Sequence, residues 1–552
     1  MEDYLSVIPL GGVEEIGGLN MTAYRFGDDI IIIDAGLMFP EDYMMGVDFV
    51  IQDFTYLREN LDKIKAIFLT HAHEDHIGAL PFLLKEFDVT VYGTALTLGF
   101  IQKKLEEHNI PKRRLKRIRP RSVIVAGEFR VEAIRVTHSI VDGVAYGITT
   151  PMGCIIHTGD FKIDPTPVDG EIMDFRKFTE YGEKGTLLML SDSTNAEQGG
   201  FTFSEKEVRR GFEDIFAKVE GRIILSTFSS NIHRLQQAID VAYMYEKKVI
   251  ICGRSIASNT QIAIDLGYLK VPPETLIEMD KINDYPDEDL VLLTTGSQGE
   301  PMSVLSRIAV GEHKHIKIKQ GDTVVISAKA IPGNERAIGR LINRMYKLGA
   351  DVIHEKVSEI HVSGHASKEE LKLMLSMVKP KFFMPIHGEH RHLVVHAKLG
   401  QKMGIPKENI FLMENGDVLR LDSKGARKDG KVSAGRTFVD GKGVGDVEEM
   451  VLRDRRRLGQ DGIVIPLITI DKEYGKLASP LEIITRGFTQ EEESSELIES
   501  MHSLLTEHIE SLDKEVATDP DLLKAEARRV IRKHIRKHME RRPMVMPIVF
   551  EV

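Results

Sequence analysis

The stretch LTHAHEDHIGALPFL, Leu69–Leu83, gathers three histidines and two carboxylates into the six residues His71 to His76, directly after an apolar run. Its neighbours set the geometry. KAIFLT (Lys65–Thr70) is short and apolar and predicts a buried strand, while IGALPFLLKEF (Ile77–Phe87) repeats its apolar residues at helical spacing. The cluster therefore falls on a strand-to-helix turn at the mouth of an α/β sheet, where side chains from several strand ends converge. His71 and His73 are two apart and project to one side of an extended segment; Asp75 and His76 follow where the chain bends into the helix. Such an arrangement faces two neighbouring centres. Imidazole with carboxylate suits zinc or manganese, whereas an all-carboxylate set would suit magnesium or calcium. Without a metal, burying so many polar groups would be costly.

A metal centre needs further ligands from other strand ends. FRVEAIRVTHSIVDG closes a β-like run at His138, GCIIHTGDFKID another at His157 and Asp160, and KFFMPIHGEHRH a third at His387. The set resembles the metallo-β-lactamase fold, and SDSTN (Ser191–Asn195), HVSGHAS (His361–Ser367) and PIHGE (Pro385–Glu389) resemble its β-CASP nuclease branch. With IPLGGVEEIGGLNM, TFSSNIHR and TTGSQGEPMS, the motifs span most of the chain and are similar to those of the bacterial ribonuclease J family.

That resemblance implies an α/β protein: a metallo-β-lactamase αββα sandwich with an inserted β-CASP α/β domain and a small α+β C-terminal domain. The expected divisions are 1–203 for the first part of the lactamase-like domain, 204–347 for the β-CASP domain and 348–440 for the return to the first. A linker follows at 441–455, then a self-association domain at 456–552. The residues alone support the change near 204. SEKEVRRGFEDIFAKV opens with Ser204 three residues before Glu207, which predicts a capping box. GRIILSTFSS, KKVIICG, DLVLLTTGS and DTVVISAKAI read as buried parallel strands separated by helices.

The resemblance also implies the site. His71, His73 and His138 would hold one metal, Asp75, His76 and His387 the other, and Asp160 would bridge them. His157 falls outside this set and reads as a packed strand histidine. Asp75, His76, Asp192 and His365 are the expected catalytic group, with Asp192 orienting a histidine and His365 protonating or stabilising the leaving oxygen. Ser230, Asn231, His361, Ser363 and His365 are expected to bind an RNA 5′ phosphate. Ser229 stands where the pattern often has Ala. TTGSQGEP reads either as a phosphate-contacting turn or as an ordinary strand-to-loop turn.

Composition is compatible with this. The chain has 552 residues, 42% of them hydrophobic, enough for several cores. Its two cysteines, Cys154 and Cys252, exclude a disulfide framework and suit a reducing cytoplasm. The start lacks a basic, then apolar leader pattern, and no run is long enough to cross a membrane. A net charge of −11 conceals two basic stretches, IPKRRLKRIRPR (Ile110–Arg121) and RRVIRKHIRKHMERR (Arg528–Arg542). In the second, Ile531, Ile535 and Met539 recur every fourth residue, giving an apolar stripe with basic flanks, a surface for RNA or a partner.

The expectation is a ribonuclease using two divalent ions per subunit, zinc first, with manganese or magnesium as alternatives. It would degrade single-stranded RNA 5′ to 3′ from monophosphorylated ends and also cut internally, in rRNA processing and mRNA decay. It would assemble as a homodimer or homotetramer, work in the cytoplasm away from membranes, and meet other RNA-decay enzymes. Two alternatives are a DNA-directed β-CASP nuclease and a non-catalytic scaffold subunit. The scaffold predicts eroded ligands, and all seven positions carry ligand residues.

Overall fold

The computed structural model describes residues 4–41, 43–111, 114–300, 302–331, 334–355, 360–441, 443–447, 449–488, 491–539 and 541–552. The chain divides into two compact units: Met1–Phe39 with Val50–Thr437, and Pro40–Phe49 with Phe438–Val552.

Among the described residues, the first unit contains two sheets that share one core. An eight-stranded sheet runs in the order Gly425–Lys431, Asp417–Asp422, Leu5–Gly11, Met21–Phe26, Asp29–Ile33, Ile64–Phe68, Val91–Gly93 and Leu115–Arg117. A six-stranded sheet runs Phe382–Ile386, Thr186–Asp192, Gly153–His157, Val144–Thr150, Phe129–Arg135 and Val123–Ala126. Alternation along the strands decides which residues meet. Val7, Tyr24, Ile31 and Phe68 of the first sheet and Val131, Tyr146, Leu188 and Met384 of the second belong to the same buried cluster. On its other face the second sheet buries Ile156, Met189 and Phe383 with Phe178, Leu371, Met374 and Leu399 of three helices. Helix Ala95–Glu107 packs on Val91–Gly93 and Leu115–Arg117 of the first sheet. The result is an αββα sandwich.

An all-parallel five-stranded sheet follows in the chain, ordered Lys248–Cys252, Leu290–Thr294, Ile223–Ser226, Thr323–Ile326 and Asp351–Ile353, as the apolar runs predict. The capping box at Ser204 is not formed. The helix begins at Glu207 with Lys206 as its unassisted N-cap, because Ser204 Oγ already accepts from the Thr166 hydroxyl at 3.0 Å and from Lys206 N at 3.3 Å while donating to the Thr166 carbonyl.

The second unit packs helices Glu491–Glu510 and Pro520–His538 against strand Ile463–Ile470, which pairs with Glu482–Arg486, Met544–Val545 and Ile548–Glu551. Ile531 and Ile535 of the basic helix lie in that core. Helix Glu449–Asp461 starts inside the span expected as a linker. Lys112, Arg113, Pro301 and Glu540 of the motifs quoted above, and Lys442 and Glu448 of the expected linker, lie outside the described residues. No helix among the described residues is long and apolar enough to cross a membrane.

Candidate metal centre

Strand ends from both sheets deliver the cluster. Ile64–Phe68 leads into His71, Phe129–Arg135 into His138, Gly153–His157 into Asp160, and Phe382–Ile386 into His387, while Thr186–Asp192 ends on Asp192 itself. Two groups form around one carboxylate: His71, His73, His138 and Asp160, and Asp75, His76, Asp160 and His387, the donor atoms within each lying within 4.8 Å of one another. His73 Nδ1 sits 3.0 Å from His71 Nε2 and 3.1 Å from His138 Nε2. Asp160 Oδ2 is 3.3 Å from His76 Nε2, and its Oδ1 is 3.6 Å from His387 Nε2.

The far sides of the rings are held by the protein. His76 Nδ1 meets Asp34 Oδ2 at 2.7 Å, and Asp34 also accepts from the Thr70 backbone and hydroxyl at 2.8 Å each. His138 Nδ1 donates to the Gly364 carbonyl at 2.7 Å, His71 Nδ1 lies 3.0 Å from Thr70 Oγ1, and His387 Nδ1 lies 2.7 Å from Thr194 Oγ1. Anchoring the rear nitrogens fixes each ring's orientation and turns its front nitrogen inward. Imidazole nitrogens facing each other at hydrogen-bond distance in a buried site fit a cation better than they fit one another.

The electrostatics divide the cluster. Burial, with the neighbouring imidazoles, holds His71 and His138 well below the ordinary histidine range; burial lowers His73 to about 4. His76 and His387 are raised well above that range: burial opposes the charge, but the carboxylates outweigh it, Asp160 foremost. Asp75, Asp160 and Asp192 are held below the carboxylate range, burial being overcome by His76 and His387 for the first two and by His365 for Asp192.

His365 Nδ1 lies 2.8 Å from Asp192 Oδ2, and Asp160, Asp192, His365 and His387 form a third such group. Its side chain is 20% exposed, against 4% for His387 and 3% for His76, so among these three His365 is the imidazole most open to a substrate. Asn195 Nδ2 donates to Ser363 Oγ at 2.8 Å and to the His365 carbonyl at 3.0 Å, tying SDSTN to HVSGHAS.

The remaining expected residues are more dispersed. Asn231 uses its side-chain oxygen to cap helix Ile232–Met244, accepting from Arg234 N at 3.0 Å. Arg234 from that helix donates to the Ile360 carbonyl at 3.2 Å, beside His361. No hydrogen bond links Ser230 or Asn231 to His361, Ser363 or His365 among the described residues. His361 Nδ1 is buried without a partner, and burial together with the charges of Arg234, Lys329 and Lys162 holds this histidine well below its ordinary range. Ser229 accepts from Asn259 Nδ2 at 3.2 Å. In the TTGSQGEP turn, Gln298 donates to the Lys329 carbonyl at 2.9 Å and accepts from Ile331 N at 2.8 Å, bracing that loop. His157 is buried at 4% and lies 2.8 Å from the Tyr24 hydroxyl, a packed strand histidine as read.

Sequence reasoning passed over Asp34, Thr194 and Asn20. Asp34 follows the apolar run DIIII, the strand-end position that flagged the ligands, and that signal could have found it. Asn20 donates to the Asp75 carbonyl at 2.9 Å from a loop with no ligand-type neighbours, so nothing local marks it.

Sandwich and cluster together define a metallo-β-lactamase-fold hydrolase of the β-CASP type. Residues 17–172 match the metallo-beta-lactamase superfamily, 220–345 the ribonuclease J beta-CASP domain, 350–413 the Zn-dependent metallo-hydrolase RNA specificity domain, and 450–552 the ribonuclease J C-terminal domain. Ribonuclease J of Helicobacter pylori is 42% identical over 98% of this chain and 79% of that protein; ribonuclease J 1 of Streptococcus pyogenes is 43% identical over 99% and 97%. A solved Enterococcus faecalis protein of unknown function shares the fold, with a TM-score of 0.54 at 17% identity over 76% of this chain and 100% of that one. The chain belongs to the ribonuclease J family, and with it to the metal-dependent ribonucleases.

Proposed function

We propose that this protein hydrolyses RNA phosphodiester bonds with two divalent ions, zinc in the first instance, held by His71, His73 and His138 on one side and Asp75, His76 and His387 on the other, with Asp160 shared. The observation that carries the reading is the position of Asp160, whose Oδ2 lies 3.7 and 3.8 Å from His71 and His138 Nε2 of one donor group and 3.3 Å from His76 Nε2 of the other, so that one carboxylate belongs to both. When bound, such a pair of ions makes water nucleophilic at neutral pH and stabilises charge on phosphoryl oxygens. The chain's own groups do the rest. Asp34 and Thr194 hold His76 and His387 in position, Asp192 orients His365, and His365, open to solvent, donates a proton to the departing oxygen.

The reading extends to 5′-to-3′ degradation from monophosphorylated ends together with internal cutting. A buried, unpartnered His361 Nδ1 flanked by cationic Arg234, Lys329 and Lys162 supports an anion site there, with Ser230, Asn231, Ser363 and His365 expected around the phosphate. Domain limits at 203, 347, 440 and 455, a homodimer or homotetramer, and a cytoplasmic place in RNA maturation and decay belong to the same reading. The test is digestion of one single-stranded RNA, labelled at its 3′ end and internally, carrying a 5′ monophosphate or triphosphate. Metal-dependent nucleotide release favouring the monophosphate is the expected result. Internal cuts without 5′ preference would remove the pocket, and no metal-dependent cleavage would return the protein to the scaffold alternative.

A further inference from the structure

The basic stretch Arg528–Arg542 carries eight Lys or Arg residues and one Glu over fifteen positions, and the site described above uses none of them. Within the second compact unit its helix, Pro520–His538, turns one face inward through Leu523, Ala527, Ile531 and Ile535. What the outer face does depends on which partners its charges find. Arg529 is paired with Glu526, Arg528 donates to the Val545 carbonyl, and on helix Glu449–Asp461 Arg455 is paired with Asp440. Those guanidiniums are structural.

Five others have no carboxylate partner among the described residues. Arg457, Arg532, Arg536, Arg541 and Arg542 line one cavity of about 110 Å³, floored by Ile535 and Pro543. Among the described residues no carboxylate lines it and none of the five makes an ion pair; Arg541 donates to the Phe488 carbonyl. Partial burial and the charges of Arg528, Arg457 and Arg536 lower Arg532 below the ordinary guanidinium range, a sign that like charges are crowded together. In a chain of net charge −11, gathering arginines that have no described carboxylate partner around a concave, apolar-floored site costs repulsion that a bound multivalent anion would offset. Arginine, not lysine, dominates the lining, and its planar fork matches phosphate oxygens two at a time.

The geometry points to an oligophosphate-binding site in the second unit, formed by Arg457, Arg532, Arg536, Arg541 and Arg542, whose ligand is the phosphodiester backbone of RNA. This rests on the ribonuclease reading for its choice of ligand, and free polyphosphate is the other source of the same chemistry.

The full chain is titrated with a cleavage-resistant 2′-O-methylated single-stranded RNA over a range of salt, read by fluorescence anisotropy. Four proteins are compared: wild type, the triple variant Arg457→Ala/Arg532→Ala/Arg536→Ala, the same three positions changed to Lys, and the control Lys533→Ala/Lys537→Ala, which removes two charges of the same helix outside the cavity lining. The triple variant is expected to bind about tenfold more weakly at physiological salt, with the log–log salt slope reduced by about 2, while the control changes about twofold or less. The triple Arg→Lys variant keeps most of the salt slope but recovers only part of the affinity, because charge returns without the fork. Equal losses in the triple Ala variant and the lysine control would mean diffuse charge and no site. Unchanged binding in the triple variant overturns the inference, and so does a change in assembly mass by light scattering, which would make the cavity a self-association surface. Tripolyphosphate that binds wild type by calorimetry, with RNA affinity independent of the arginines, would overturn the RNA assignment. Cleavage of unmodified RNA by wild type is measured alongside: its absence strikes the ribonuclease reading, whereas cleavage without the arginine effect strikes this inference alone.

Discussion

The metal centre and the surroundings of His361 treat buried imidazole nitrogens in opposite ways. His71, His76, His138 and His387 each have a protein partner for the rear nitrogen, so their front nitrogens are aimed in advance. His361 buries an Nδ1 with no partner beside three cationic side chains. The first arrangement is rigid and specifies geometry, as a ligand set for small ions requires. The second leaves an unmet hydrogen bond beside cations of which Arg234 and Lys162 already face Glu205 and Asp164, and a bound anion would satisfy that nitrogen. On the proposed function, the first would hold its ions throughout, whereas the second would be occupied in turn by each new chain end.

The comparison breaks most decisively at the metal centre. His76→Ala removes a donor that faces both Asp75 and Asp160, at 3.6 and 3.3 Å. Cleavage of internally labelled RNA should fall on the order of a thousandfold for 5′-phosphorylated and 5′-hydroxyl substrates alike, with metal content by emission spectroscopy reduced. Retention of substantial activity would show that this histidine is not a ligand. A smaller loss is expected one layer out. Asp192→Asn keeps the shape but removes the charge facing His365 at 2.8 Å and His387 at 3.4 Å, and activity or metal affinity should drop roughly 10- to 100-fold. Wild-type rates and metal affinity in that variant would mean that backbone contacts and Thr194 alone orient His387.

The two regions also differ in how much of them can be read from the chain. The ligand turn is legible because three histidines and an aspartate follow one strand within six residues, and because His138, Asp160 and His387 each close a recognisable apolar run. The sandwich and the parallel sheet follow from the same runs. What orients the ligands is not legible in that way. Asp34 reaches His76 across 42 positions and adopts a left-handed backbone with φ 63°, as does His387 with φ 54°, and no local pattern dictates either conformation. Ser204 teaches the converse: its spacing to Glu207 fits a capping box, but the Thr166 hydroxyl and Lys206 N take its lone pairs first.

Beneath the metal centre, His396 links the comparison to pH. Buried completely, it lies 2.9 Å from Ser193 Oγ, and burial lowers its pKa to about 3. The folded state therefore favours the neutral ring, while the unfolded chain takes up a proton below about 6.5. Stability from this group is complete above about 6.5 and is lost as pH falls towards about 3, amounting to roughly 2 kcal/mol at pH 5. His396→Gln should make unfolding of the first unit less sensitive to acid by about that amount, measured as the difference in urea midpoints between pH 7 and pH 5. An unchanged pH dependence would mean that the ring is already protonated in the fold.

The smallest expected effect falls on the second region and separates the two most cleanly. If His361 contributes one charge-assisted hydrogen bond to a terminal phosphate, removing it costs about 1.5 kcal/mol or somewhat more, a factor of about ten. His361→Ala should lower the preference for 5′-monophosphate over 5′-hydroxyl RNA by about that factor while leaving internal cleavage and metal content near wild type. A matched fall in both activities would place His361 with the metal centre and collapse the distinction. Unaltered preference would leave its unpartnered nitrogen without a ligand, and the three surrounding cations would then have to be understood through the Glu205 carboxylate, which lies 2.6 Å from Arg234. The two outcomes differ because a metal-site defect slows every bond that is cut, whereas a terminal-phosphate defect slows only chains that present that end.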